Sequence, residues 1–374
     1  MLMNRKLSIG AYQFFSIIFL FEMGSATLVG LASGAMQDAW ISVLIALVTG
    51  CLLFCVYIKL FDLYPELPFT RYVQSILGKF AGKILAMVYI LYFIYIGARV
   101  LRDFEELLVI TLYNASSLIS IGILFMFLCM YALFKGFEVF GRVCEFLFIV
   151  IIFIMVSIIG FEVIAGIIKT DNLRPVLETG WKTVIKEAYP LTVTFPFGEM
   201  IVFTMILPYL KKPDYAWKVG IPGLIFAGLV LTLVTMLNIG ILGANTVVRA
   251  TYPILTAISY INIADFIQRL DSVVVIVIAV GGFIKITVFF FCAIIGAADL
   301  FKVKKSDTLT YPIAVIILIC SVWMAPDYLE HYKEGFDIVP YYLHIPLQIV
   351  IPTVLLVIAV IQKKAKTKTK ENAA

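Results

Sequence analysis

Polar and charged residues are scarce in this chain. Asp, Glu, Lys and Arg make up only 14% of its 374 residues, while 62% are hydrophobic. A soluble fold of that size would leave much of its apolar surface in water, so a soluble globular domain is excluded. Histidine is nearly absent. His331 and His344 are the two, both read in or beside an outer loop. No metal-ligand cluster, phosphate-binding loop or nucleophile triad is found, so neither an enzyme nor a bound cofactor or metal is expected. The six cysteines lie in or beside apolar segments, and the Cys51/Cys55 pair has no histidine partner, so they read as packing residues. Apolar and polar residues do not alternate, which argues against a β-barrel. The opening MLMNRKLSIGAYQFF lacks a convincing small-residue cleavage site, and its apolar stretch runs on into a full span.

What the chain does have is apolar run after apolar run. Hydropathy and helix breakers predict ten spans, at about 11–34, 39–62, 82–112, 118–137, 143–168, 188–210, 218–244, 271–298, 309–326 and 341–361. The expected fold is all-α and membrane-integral. It forms one permease-like domain over 1–362, with halves of about 1–168 and 169–362, followed by a basic tail at 363–374. Lys and Arg concentrate in alternate loops, which places both termini in the cytoplasm. The tail lysines Lys363, Lys364, Lys366, Lys368 and Lys370 suit anionic lipid headgroups, and the net charge of +5 calls for no nucleic acid. Residues 169–187 read as an amphipathic helix on the outer face, 250–270 as another outer helical segment, and the acidic stretch 327–340 as solvated loop.

Two of the spans are interrupted. The first carries Phe21-Glu22-Met23-Gly24-Ser25-Ala26-Thr27, and the sixth carries Phe195-Pro196-Phe197-Gly198-Glu199. A helix in lipid cannot leave backbone groups unpaired, so broken spans survive where protein, water or ligand satisfies them. Breaks at positions one and six of ten suggest two five-helix halves of inverted topology around a site near the midplane. Such a site offers backbone N–H groups to a carboxylate and carbonyls to an ammonium group, which suits a zwitterionic amino acid. Gly24, Ser25 and Ala26 are assigned as carboxylate-facing backbone donors, and Phe195, Pro196 and Phe197 as residues whose carbonyls accept from the amine. Gly198 leaves room for close approach, and the Phe197 ring serves as a lid or apolar wall. The plainer alternative is that neighbouring helices re-satisfy both breaks.

Charges at membrane depth are costly and mark function by default. Glu22 precedes the first break and Glu199 follows the second. Lys285 lies near the middle of the eighth span, and no residue one turn away can pair with it, so its partner must come from another helix. Its ammonium is expected to stand in for a bound sodium ion against carbonyls or hydroxyls of the first span. The alternative is a static strut. Thr287 and Phe291 follow as pocket-lining candidates. In the third span, Arg99 with Asp103 and Arg102 with Glu106 are each four apart, and read as paired residues at the rim of an outer vestibule. Glu162, near an outer end, is expected to reach water.

Several stretches carry a family likeness: Gln37-Asp38-Ala39-Trp40-Ile41, Tyr64-Pro65-Glu66-Leu67-Pro68, Ile76-Leu77-Gly78-Lys79, Phe195–Glu199, Asp265–Asp271 and Phe283-Ile284-Lys285. In this order and spacing they resemble the spore germination permeases, the B subunits of germinant receptors in endospore-forming bacteria. The resemblance implies an amino acid–polyamine–organocation superfamily fold, leucine-transporter-like in arrangement. It also implies a ligand-sensing role beside an A subunit and a lipoprotein C subunit in the spore inner membrane, with a small germinant, mostly an amino acid, as ligand. The family pocket would fall on Gly24, Ser25, Ala26, Phe195–Glu199, Thr287 and Phe291. Glu22 departs from the neutral residue expected there. It faces away, is protonated, or meets a ligand more cationic than a neutral amino acid. A proton-coupled amino acid transporter and a partner-gated ion or solute pathway would use the same pocket.

Overall fold

A computed structural model describes residues 7–263 and 270–371, the last six of them by backbone alone. The Asp265–Asp271 stretch lies mostly outside the described residues, as do Arg5, Lys6, Arg269 and the side chains of Lys366, Lys368 and Lys370. The apolar runs become helices because a segment in hydrocarbon must pair its backbone groups internally. In chain order the helices are α1 (Ala11–Ala26), α2 (Ala39–Leu63), α3 (Phe69–Leu77), α4 (Lys79–Thr111), α5 (Leu118–Lys135), α6 (Phe137–Ile164), α7 (Gly180–Glu187), α8 (Ile221–Leu242), α9 (Ala244–Arg249), α10 (Pro253–Ile258), α11 (Asp271–Leu300), α12 (Thr310–Trp323), α13 (Tyr328–Lys333) and α14 (Ile351–Glu371). Gly78 and Gly136, at φ of 82° and 99°, let α3 pass into α4 and α5 into α6 through a single residue.

Eight helices among the described residues are long and apolar enough to cross a membrane, and they coincide with eight of the ten expected spans. The remaining two are those read as interrupted. Helix α1 has 16 residues. The 188–210 stretch divides into short helical pieces, among them Ala188–Thr192 and Phe197–Met205. The molecule is an all-helical integral membrane protein built around α11, which packs along α4 and α1 and is buried on every face from Ile284 to Ile294. Helix α6 is peripheral, presenting Phe146, Ile149, Phe153 and Val156 outward as a lipid-facing surface.

The first break falls at the far end of the Phe21–Thr27 stretch. Glu22, Gly24 and Ser25 lie inside α1, which ends at Ala26. The Thr27 hydroxyl donates to the carbonyls of Met23 and Gly24 at 3.0 and 3.2 Å, sealing the helix end. Gly24 serves packing rather than chain reversal. A Cβ on Gly281 of α11 would sit 2.9 Å from Gly24 Cα, and one on Gly24 would sit 3.0 Å from the Gly281 carbonyl oxygen, so the two backbones touch.

The segments between spans are well fastened. Residues 169–187 include α7, whose Val184 is buried while Trp181 and Ile185 are exposed. They are pinned to the start of α2 by the motif residues Gln37 and Asp38. Gln37 donates to the Pro175 carbonyl at 3.1 Å, and the Leu177 N–H donates to Asp38 at 2.8 Å. The acidic 327–340 stretch is helical rather than loop. It buries His331 in α13 and brings Glu334 toward Arg99.

Candidate functional site

Lys285 has no polar partner on its own turn of α11, and the structure supplies one from the broken sixth segment. Its ammonium group forms an ion pair with the Glu199 carboxylate, with side chains 0% and 3% exposed. The rings of Phe21 and Phe195 lie 5.0 and 4.9 Å from the same nitrogen, presenting π faces to the cation. The first span thus gives Lys285 an aromatic ring, not the carbonyls or hydroxyls expected of it. The pairing is what makes a full charge tolerable here, because an isolated ion at this depth would be left without compensation. Pro190 and Pro196 cannot donate a backbone N–H, so 188–205 cannot form one regular helix. The resulting break places Phe195 and Glu199 on either side of Pro196.

Beside this pair is a cavity. It is lined by Glu199 and Phe195, by Arg99 and Asp103 of α4, and by His331, Tyr332, Phe336 and His344. Arg99 donates to the His331 carbonyl at 2.7 Å and lies 3.9 Å from the Glu334 carboxylate. Asp103 meets His331 Nε2 at 2.8 Å. His344 is not loop-borne. It is buried, with Nδ1 2.6 Å from the Tyr92 hydroxyl, to which Gln348 Nε2 also donates at 2.8 Å. The cavity therefore offers a guanidinium and carboxylates within one enclosure, a charge pattern complementary to a zwitterion. Among the described residues, no group of three or more His, Cys, Asp or Glu is arranged to hold a metal ion.

The sequence-derived candidates divide clearly. Phe195, Glu199, Arg99 and Asp103 share the cavity, with Lys285 behind Glu199. Arg99 and Asp103 do not pair with each other as their spacing suggested, because each is drawn across to the 327–340 segment. Arg102 does pair with Glu106, at 2.8 Å, but also donates to the Ser321 and Val322 carbonyls of α12, away from the cavity. Gly24, Ser25 and Ala26 occupy the last turn of α1, so the free backbone at that end is carbonyl rather than N–H. Phe197 packs onto α2, with its Cβ 2.5 Å from where a Gly50 Cβ would stand, and Phe195 forms the cavity wall instead. The Gly198 carbonyl accepts from the Tyr57 hydroxyl at 3.3 Å.

Thr287 and Phe291 fall outside the cavity. At about 100° per residue, Thr287 is carried roughly 200° around α11 from Lys285. Its hydroxyl bonds back to the Phe283 carbonyl, and Phe291 stacks on Phe137 at 3.9 Å. Glu22 is fully buried, and neither of its carboxylate oxygens has a hydrogen-bond partner among the described residues. It lies within coulombic reach of both Lys285 and Glu199. Sequence reasoning gave no site role to Phe21, which it placed in the first break, or to His331 and His344, and missed Tyr92 and Gln348. A histidine and a glutamine four apart in an apolar span, His344 and Gln348, were the available signal.

Residues 8–329 match the family described as "Spore germination protein". The chain is 35% identical over 369 residues to spore germination protein KB of Bacillus subtilis (strain 168), covering 99% of each chain. It is 28% identical over 290 residues to spore germination protein YndE of the same organism, covering 76% of this chain and 77% of that one. In fold it is similar to Mhp1, a nucleobase-cation-symport-1 family transporter solved in a closed conformation with bromovinylhydantoin bound. The TM-score is 0.62 at 14% identity, over 95% of this chain and 90% of that one.

Proposed function

This chain belongs to the spore germination protein family, and we propose that it is the membrane-embedded, germinant-sensing subunit of a spore germinant receptor. The observation that carries the reading is the cavity that joins Arg99 and Asp103 to the Lys285–Glu199 pair. A small amino acid would place its carboxylate on Arg99 and its ammonium against Glu199. The ligand ammonium then competes with Lys285 for the same carboxylate. Because that ion pair ties α11 to the broken sixth segment, a ligand that prefers one arrangement of the pair shifts the balance between two conformations. Receptor A and C subunits in the spore inner membrane would read that shift, with both termini of this chain on the cytoplasmic side.

Spores in which this gene is deleted and then restored, challenged with a panel of amino acids, sugars and nucleosides, test the reading. The expected result is loss and recovery of the response to a defined small set of germinants. An unchanged response across the panel sinks it. The transporter-type fold favours a second reading, proton-coupled amino acid transport. Robust ligand-driven uptake by this chain alone in proteoliposomes would favour transport over sensing.

A further inference from the structure

A second cavity lies on a different face of α1 from Phe21. It is enclosed by α1, α6, α8 and α11, with α10 closing one side. Its wall is hydrocarbon, with Leu20, Ile158 and Val277 typical, except for three polar residues: Thr27, Glu162 and Asn238. The Thr27 hydroxyl is already spent on the end of α1. Glu162 is not spent. Contrary to its expected solvation it is only 4% exposed, and its Oε2 has no hydrogen-bond partner among the described residues. None of the described residues lining the cavity is basic.

A buried carboxyl group facing an apolar chamber, with an oxygen that has no partner among the described residues, is costly unless something that enters the chamber supplies that partner. The chemistry that fits is specific. A cationic head meets Glu162 with the Asn238 amide beside it, while a short apolar body fills the hydrocarbon wall. An anionic head is repelled, and a bare acyl chain leaves the carboxyl group as it was. We infer that this chamber is a second ligand site, selective for small apolar primary amines. It does not depend on what fills the cavity at Glu199. A guest here touches Gly281 of the Gly24–Gly281 crossing and Met23 beside Gly24, and so contacts both helices that carry Phe21 and Lys285.

The test uses the full chain in lipid nanodiscs with hexylamine as the probe, and hexanol and hexanoate as matched controls. Hexylamine should raise Tm saturably, and should slow dicyclohexylcarbodiimide labelling of Glu162, read by mass spectrometry, by about tenfold. The controls should do neither. The Tm shift should vanish in Glu162→Gln and in Ile158→Trp, which fills the chamber, and persist in Asp103→Asn of the other cavity. Equal protection by all three probes would mean simple membrane partition and would overturn the site, as would a Tm shift that survives Glu162→Gln or disappears only in Asp103→Asn. Should the Glu162→Gln chain fail to fold, protection of Glu162 in the unaltered chain decides alone.

Discussion

Lys285 and Glu199 meet as a buried ion pair between a continuous helix and a broken one, with Phe21 and Phe195 against the cation. Removing one partner leaves a buried charge without its counterion. Lys285→Met should therefore destabilise the protein by about 3–5 kcal/mol, whereas removing both charges together should cost less than either alone. Thermal unfolding of Lys285→Met, Glu199→Gln and the double variant measures this. Lys59→Met is the control. Strictly additive single effects would mean that the two residues do not act as a pair.

Gly24 and Gly281 bring α1 and α11 into backbone contact, and a methyl group has no space at either position. Gly281→Ala should cost about 1–3 kcal/mol through overpacking. Gly160→Ala on α6, where a Cβ meets nothing within 4 Å, should be close to neutral or slightly stabilising. Comparable Tm values for the two variants would contradict a tight crossing.

These residues also show what could be read in advance. Span positions were legible because an apolar run in lipid has few options other than helix, and eight of them fall where hydropathy put them. The break in the sixth segment was legible from its prolines, and the need of Lys285 for a partner on another helix followed from its isolation. Which residue supplied that partner was not legible, because it depends on how the sixth segment folds back around Pro196. Spacing alone also misled. Arg99 and Asp103 are four apart on α4, yet both bond across to the 327–340 segment. Gly24 reads equally as a chain break or a helix crossing until Gly281 is placed opposite it.

The latch between α2 and the 169–187 segment hangs on Asp38, a buried residue whose carboxylate accepts the Leu177 N–H at 2.8 Å. Asp38→Ala should leave that backbone N–H without its partner, at a cost of about 1–3 kcal/mol concentrated locally. Hydrogen exchange at residues 174–180 should accelerate while exchange in α11 stays unchanged. Uniform acceleration across the chain would instead mean that Asp38 supports the whole fold.

Arg99 and Arg102 lie three residues apart on one helix but do different work. Arg102 is buried against Glu106 and two α12 carbonyls. Arg102→Ala should strand Glu106 and lower stability by about 3–5 kcal/mol. Arg99 lines the cavity; its 3.9 Å approach to Glu334 is long and partly exposed and contributes little, which leaves its bond to the His331 carbonyl as its main structural contact. Arg99→Ala should lower stability by about 1–3 kcal/mol, less than Arg102→Ala, because the buried His331 carbonyl loses its donor, while raising the germinant concentration for half-maximal response by about tenfold or more, the effect of losing one charge-assisted contact to a ligand carboxylate. Arg99→Lys should recover only part of that loss, because an ammonium cannot offer the paired N–H geometry of a guanidinium. Purified variants measured by thermal unfolding, alongside spores carrying the same alleles scored for germination, separate the two arginines. If Arg99→Ala loses stability as Arg102→Ala does, or germinates like the unaltered chain, Arg99 is not a ligand contact.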